Sequence, residues 1–87
     1  MRKLWDDAAW EEYLDWQMQD RKTLKKINRL LEDIDRNGYQ CTGKPEALKG
    51  ALSGYWSVRI DGKNRIVFRI TQDGIEIIQC GTHYRDK

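Results

Sequence analysis

Leu24, Ile27, Leu30, Leu31 and Ile34 recur at steps of three and four residues, the spacing of one face of an α-helix. Arg21, Lys22, Lys25, Lys26 and Arg29 lie around the rest of its first turns. This pattern predicts an amphipathic helix beginning near Asp20 and ending at Asn37-Gly38, where glycine tolerates the left-handed backbone of a helix end. Upstream, Asp6 or Asp7 can cap an earlier helix. In it Trp10, Tyr13, Leu14 and Gln17-Met18 fall at helical spacing, and Asp6, Glu11, Glu12 and Asp15 supply the wet face. Met1–Trp5 reads as a short edge strand.

After Gly38 the pattern changes. Residues 39–49, with Gly43 and the single proline Pro45, read as a loop. From Gly54 the period becomes two: Trp56, Val58 and Ile60 alternate with Tyr55, Ser57 and Arg59. Asp61-Gly62 and Asp73-Gly74 are hairpin signals. Between them Ile66, Phe68 and Ile70 alternate with Arg65, Val67 and Arg69, and residues 75–84 form the last strand. Two successive hairpins make an antiparallel meander, and two amphipathic helices must cover one face of it. The expected fold is therefore α+β: two N-terminal helices packed on a curved antiparallel sheet. Ile66, Phe68 and Ile70 should face the helices, while Arg59, Arg65 and Arg69 face away.

Eighty-seven residues make one domain, residues 1–87, with a single modest core. Four Trp and four Tyr are many for this length, enough to serve recognition as well as packing. The net charge of +2 is small, but it is unevenly spread. Residues 1–42 carry eight Lys/Arg against nine Asp/Glu; residues 43–87 carry eight against five. A polyanion suits the second half, and so does a plain solvated basic surface. Cys41 and Cys80 are too few for a disulfide framework, and one histidine is too few for a metal cluster, so neither metal nor cofactor is expected. The start lacks the apolar run of a signal peptide, and no segment is long enough to span a membrane. A cytoplasmic protein with reduced thiols is expected.

The candidate chemistry lies in the second half. His83, the only histidine, precedes Tyr84 near the end of the last strand. An imidazole titrates near neutral pH, and one beside a phenol can hand a proton to a leaving group. The plain alternative is a loosely held terminal residue. Glu46 follows Pro45, whose ring restricts the loop backbone. RNA cleavage without a metal needs a base for the 2′-hydroxyl, a cation for the charge growing on the phosphate, and an acid for the departing 5′-oxygen. Glu46, Arg65 and His83 can fill these roles in that order. Tyr84 can stack on a base or hold the phosphate, and Lys44, Lys49 and Arg59 can bind backbone phosphates. Arginines alternating with core residues are otherwise the ordinary wet face of a sheet.

Several stretches carry a family resemblance in one register: 43–49 (GKPEALK), 52–60 (LSGYWSVRI), 64–68 (NRIVF), the closing His83-Tyr84, the Trp5, Trp10, Tyr13, Trp16 series, and Lys25-Lys26-Ile27-Asn28. Together they resemble the YoeB/Txe toxins, RelE-type mRNA interferases of bacterial toxin–antitoxin systems. The resemblance implies a RelE/ParE-like fold and cleavage of mRNA at the ribosomal A site. It implies a YefM-like antitoxin, a homodimer, and operator DNA contact only through the antitoxin complex. It also implies that Glu46 is the general base, Arg65 the phosphate-stabilising arginine, His83 the general acid and Tyr84 the terminal tyrosine, with Lys49 and Arg59 in support. The chain departs from the family at Arg85-Asp86-Lys87, which follow the tyrosine where the family commonly stops. Val58 stands where a second arginine often precedes Arg59, and Gly81 and Thr82 replace bulkier or basic neighbours of the histidine. Two other readings share the fold: a toxin that binds a protein target without cutting RNA, and an inactive partner that binds antitoxin.

Overall fold

A computed structural model describes residues 1–82. The chain runs β1 (Lys3–Trp5), α1 (Asp7–Gln19), α2 (Arg21–Asn37), β2 (Glu46–Ala47), β3 (Trp56–Arg59), β4 (Arg65–Thr71) and β5 (Gly74–Gly81). The five strands form one sheet in the order β1-β5-β4-β3-β2. The meander β3-β4-β5 is antiparallel as expected. The edge strand β1 runs parallel to β5, so the sheet is mixed rather than wholly antiparallel. Parallel pairing needs a long crossover, and here most of the chain supplies it.

The core forms where the stripe of α2 meets the sheet. Ile27, Leu30, Leu31 and Ile34 pack with Ala9 of α1 against Val58, Ile60, Ile66, Phe68, Ile75, Ile77 and Cys80. Asp20 lets the two helices follow each other without a loop. Its backbone N–H donates to the Trp16 carbonyl at the end of α1 (3.1 Å). Its carboxylate accepts the amides of Lys22 (3.0 Å) and Thr23 (3.3 Å), capping α2.

Helix α1 departs from the expected stripe. Its inward residues are Ala9, Tyr13 and Trp16; Trp10, Leu14 and Met18 are 43%, 40% and 89% exposed. Ala9 is the small residue that permits close approach to the sheet. Tyr13 and Trp16 bury ring surface while their polar tips find partners, Tyr13 Oη donating to Asn28 Oδ1 at 2.7 Å. Trp10 turns outward to join Trp5 and Tyr13 in an aromatic cluster, with ring centroids 4.9 to 5.6 Å apart.

Two further expectations are corrected. The 39–49 segment is not wholly loop: Gly38–Gln40 is a 3-10 turn, and Glu46–Ala47 pairs with β3. The turn at Asp61-Gly62 is not a two-residue hairpin, since the pair before it is Arg59 with Arg65 and five residues lie between. The second hairpin is tight. Thr71 pairs with Gly74 around Gln72-Asp73. At Gly74, φ is 139°, and an added Cβ would lie 2.2 Å from the Arg2 carbonyl oxygen, which accepts the Ile75 amide at 2.8 Å. Glycine there lets β1 reach β5.

Candidate functional site

Alternation and one bulge decide what shares the face away from the helices. Glu46 pairs with Ser57, Ser57 with Val67, and Val67 with Gln79, so these four make a row across β2 to β5. The next row is Arg59, Arg65 and Gly81. On β5 the register slips between Val67/Phe68: Phe68 pairs with Ile77, Val67 with Gln79, and Ile78 is the extra residue. A bulge reverses the alternation beyond it. Ile75, Ile77 and Cys80 therefore all point into the core, while Gln79 and Gly81 join the row positions of Val67 and Arg65.

The floor of this face is small and buried at Ser57, Val67 and Gln79. Glu46, Arg59 and Arg65 rise around it. Glu46 and Arg65 are separated by two strand spacings and one two-residue step, about 12 Å between backbones.

Arg65 is held by the turn before it. Its Nη1 donates to the carbonyls of Asp61 (2.9 Å) and Asn64 (3.2 Å). That turn is locked by the Asp61 carboxylate, which accepts the amides of Lys63 and Asn64, each at 2.8 Å, and the Asn64 side chain at 3.0 Å. These bonds, the Asn64 side chain first, hold the Asp61 carboxyl below its usual range. The bonds to the turn use Nη1, one corner of a planar five-donor fork. Arg69, although on the same face, is committed elsewhere. It bonds Glu76 (2.5 Å) and lies over the Tyr55 ring, 4.8 Å from its centroid.

The segment leading to Glu46 is pinned by its backbone. The Gly43 carbonyl accepts the Arg59 amide at 2.8 Å, with φ at 90°. A Cβ on Gly43 would meet Leu30 at 3.0 Å and Val58 at 3.1 Å. Lys44 follows at φ 55°, the one non-glycine residue with positive φ among the described residues. A groove of about 430 Å³ is lined there by Lys26, Leu30, Gly43, Lys44, Arg59 and Asp61. Lys26 belongs to the basic face of α2; its place beside Lys44 and Arg59 follows from the docking of α2 on β3. Lys49 is exposed beyond β2, and no contact among the described residues joins it to the arginines. His83 and Tyr84 lie outside the described residues, as do Arg85, Asp86 and Lys87.

Both cysteines, Cys41 and Cys80, are buried free thiols. Burial, followed by the Glu12 charge, pushes the Cys80 thiol up to about 12, and burial raises that of Cys41. Among the described residues no group of three or more His, Cys, Asp or Glu is arranged to hold a metal ion, and no helix is long and apolar enough to cross a membrane.

A carboxylate and two arginines standing over a buried floor, on a small helix-covered sheet, define a class that comparison with known proteins makes specific. Residues 5–84 match the family described as YoeB-like toxin of bacterial type II toxin–antitoxin system. The YoeB toxin of Streptomyces coelicolor is 49% identical over 84 residues, covering 97% of this chain and 100% of that protein. Toxin structures from Staphylococcus aureus superpose closely. A YoeB–YefM complex gives a TM-score of 0.88 at 41% identity, and a YoeB dimer 0.87 at 42%; each match covers 97% of this chain and 98% of the other. The chain belongs to the YoeB family of toxin–antitoxin toxins.

Proposed function

We propose that the protein is a ribosome-dependent endoribonuclease that cuts mRNA at the A site and so stops translation. Glu46 takes the proton from a ribose 2′-hydroxyl. The resulting oxygen attacks the adjacent phosphorus, forming the P–O2′ bond as the P–O5′ bond breaks. Arg65, helped by Arg59, stabilises the charge on the phosphoryl oxygens. His83 gives its proton to the departing 5′-oxygen, and Tyr84 steadies the phosphate or stacks on a base. The products are a 2′,3′-cyclic phosphate and a 5′-hydroxyl. The nucleophile belongs to the substrate, so DNA does not react. Neither metal nor cofactor takes part in this sequence. Lys44, Lys49 and Lys26 bind flanking phosphates.

The observation that carries this reading is the shared face of Glu46, Arg59 and Arg65, with Arg65 held by the turn before it. Membership of the YoeB family supports a YefM-like antitoxin and a homodimer as partners, with the ribosome and its mRNA as target in the cytoplasm. Operator DNA is reached only through the antitoxin complex. Primer extension on an mRNA translated in vitro tests the reading. Cuts at the A-site codon that vanish when ribosomes are omitted are expected. Growth arrest without any cut would overturn it in favour of a toxin acting on a protein target.

A further inference from the structure

Strand β1 accompanies β5 only as far as Ile77, because the chain turns into α1 after Trp5 and the Asp6 amide donates to the Ile77 carbonyl (2.9 Å). Beyond that point no strand among the described residues lies on the β1 side of β5. Two side chains of α1 stand in. The Cys80 amide donates to Glu12 Oε1 at 2.8 Å, and Trp16 Nε1 donates to the Cys80 carbonyl at 2.9 Å. Glu12 and Trp16 are four residues apart, hence neighbours on one helix face. They grip both polar groups of a single backbone residue. The bond to Glu12 is charge-assisted.

The next residue is fitted to this grip. A Cβ on Gly81 would lie 3.1 Å from Glu12 Oε2 and 3.3 Å from its Cδ. A groove of about 170 Å³ beside it is lined by Glu12, Trp16, Asn64 and Thr82, so the turn that holds Arg65 shares a wall with the grip. Chain ends are loosely held unless something ties them down, and this is where the last strand is tied.

We propose that Glu12 and Trp16 are positioning residues. By fixing Cys80 they tie the strand end that precedes His83 in the sequence, the residue to which the proposed mechanism gives proton delivery to the 5′-oxygen. This rests on the endonuclease reading above. A general acid works within hydrogen-bond reach of the leaving atom, and a displacement of about 1 Å can cost on the order of 100-fold in rate.

The test is single-turnover cleavage of ribosome-bound mRNA by full-length variants, with circular dichroism as a check on folding. Glu12→Ala is expected to lower the saturating rate about 10- to 100-fold, with the half-saturating ribosome concentration unchanged. Glu12→Gln keeps an oxygen that accepts the Cys80 amide and should restore most of the rate. Trp16→Phe keeps the ring but loses the donor, and should fall between. If Glu12→Ala fails to fold, Trp16→Phe and Gly81→Ala, which crowds the carboxylate, carry the test. A folded Glu12→Ala protein cutting at the parental rate, or a Glu12→Gln protein as slow as Glu12→Ala, overturns the positioning role and leaves the endonuclease reading intact. Unsubstituted protein that cuts no ribosome-bound mRNA overturns both.

Discussion

Arg59 and Arg65 stand directly opposite each other on β3 and β4, the last pair before the turn. Like charges in facing positions destabilise a strand pair, by a few tenths of a kcal/mol up to about 1. A bound phosphate turns that repulsion into a binding contribution. Arg59→Thr should therefore raise the urea midpoint slightly while weakening the hold on ribosome-bound mRNA. Equilibrium unfolding and a titration of cleavage rate against ribosome concentration check the two halves. A loss of stability in the variant contradicts the argument.

In the proposed mechanism Glu46 takes one proton, from the 2′-hydroxyl, and His83 gives another, to the 5′-oxygen. Glu46→Gln and His83→Gln should each slow cleavage about 100- to 10,000-fold, the usual worth of a positioned base or acid. Glu46 is exposed on a two-residue edge strand, so its loss should leave the thermal midpoint within a degree or two. Growth arrest by the doubly substituted protein would sink the assignment.

Lys44 occupies the left-handed region, which costs a non-glycine residue about 1 to 2 kcal/mol. Lys44→Gly relieves that strain at some cost in chain entropy, for a net gain of roughly 0.5 kcal/mol. The same change removes a charge from the groove that holds Lys26 and Arg59. A variant more stable to urea but slower on limiting ribosomes is the expected result. Unchanged or lowered stability would show that the backbone there carries no strain.

Acid should unfold the protein through the carboxylates whose values are depressed in the folded state, four among the described residues. Asp20 accepts from Thr23, Asp33 from Thr42, Asp35 from the Met1 amino group, and Asp61 from Asn64. Depressed folded-state values mean that each contribution is present above about pH 4, where the unfolded chain ionises, and is lost as pH falls further. Cys80 has the opposite sign. Its thiol is raised to about 12, so stability is full below about pH 8.5 and is lost progressively as pH climbs toward 12. Asp33→Asn should flatten the acid limb of a stability-versus-pH curve, and Cys80→Ala the alkaline limb; urea unfolding across pH checks both.

What the chain reveals by inspection depends on how many faces an element has to satisfy. Helix α2 buries one side, so Leu24 to Ile34 disclosed it, and the arginines of β3 and β4 disclosed their shared face by simple alternation. Helix α1 carries two overlapping apolar series. The bulkier one, Trp10, Leu14 and Met18, pointed the wrong way, because close packing favours Ala9 over larger neighbours. Glu12 looked like one more solvated acid beside Glu11 and Asp15; its bond to Cys80 spans 68 positions, beyond any local pattern. Strand β2 is two residues long, below what periodicity registers. Arg59 and Arg65 share a face as alternation predicted, and Glu46, singled out by motif, lies in the adjoining row.

The bulge at Ile78 has a consequence for inheritance. An in-frame loss of that single residue would restore an unbroken ladder between β4 and β5 and keep every pair: Ile77 would still meet Phe68, Gln79 Val67, Cys80 Ile66 and Gly81 Arg65. Ile77 and Cys80 would still face the helices, and Gln79 and Gly81 the opposite side. The bulge is thus a spare residue held in the strand: one codon lost there is absorbed by closing it, and the face that carries Glu46, Arg59 and Arg65 outlasts the loss.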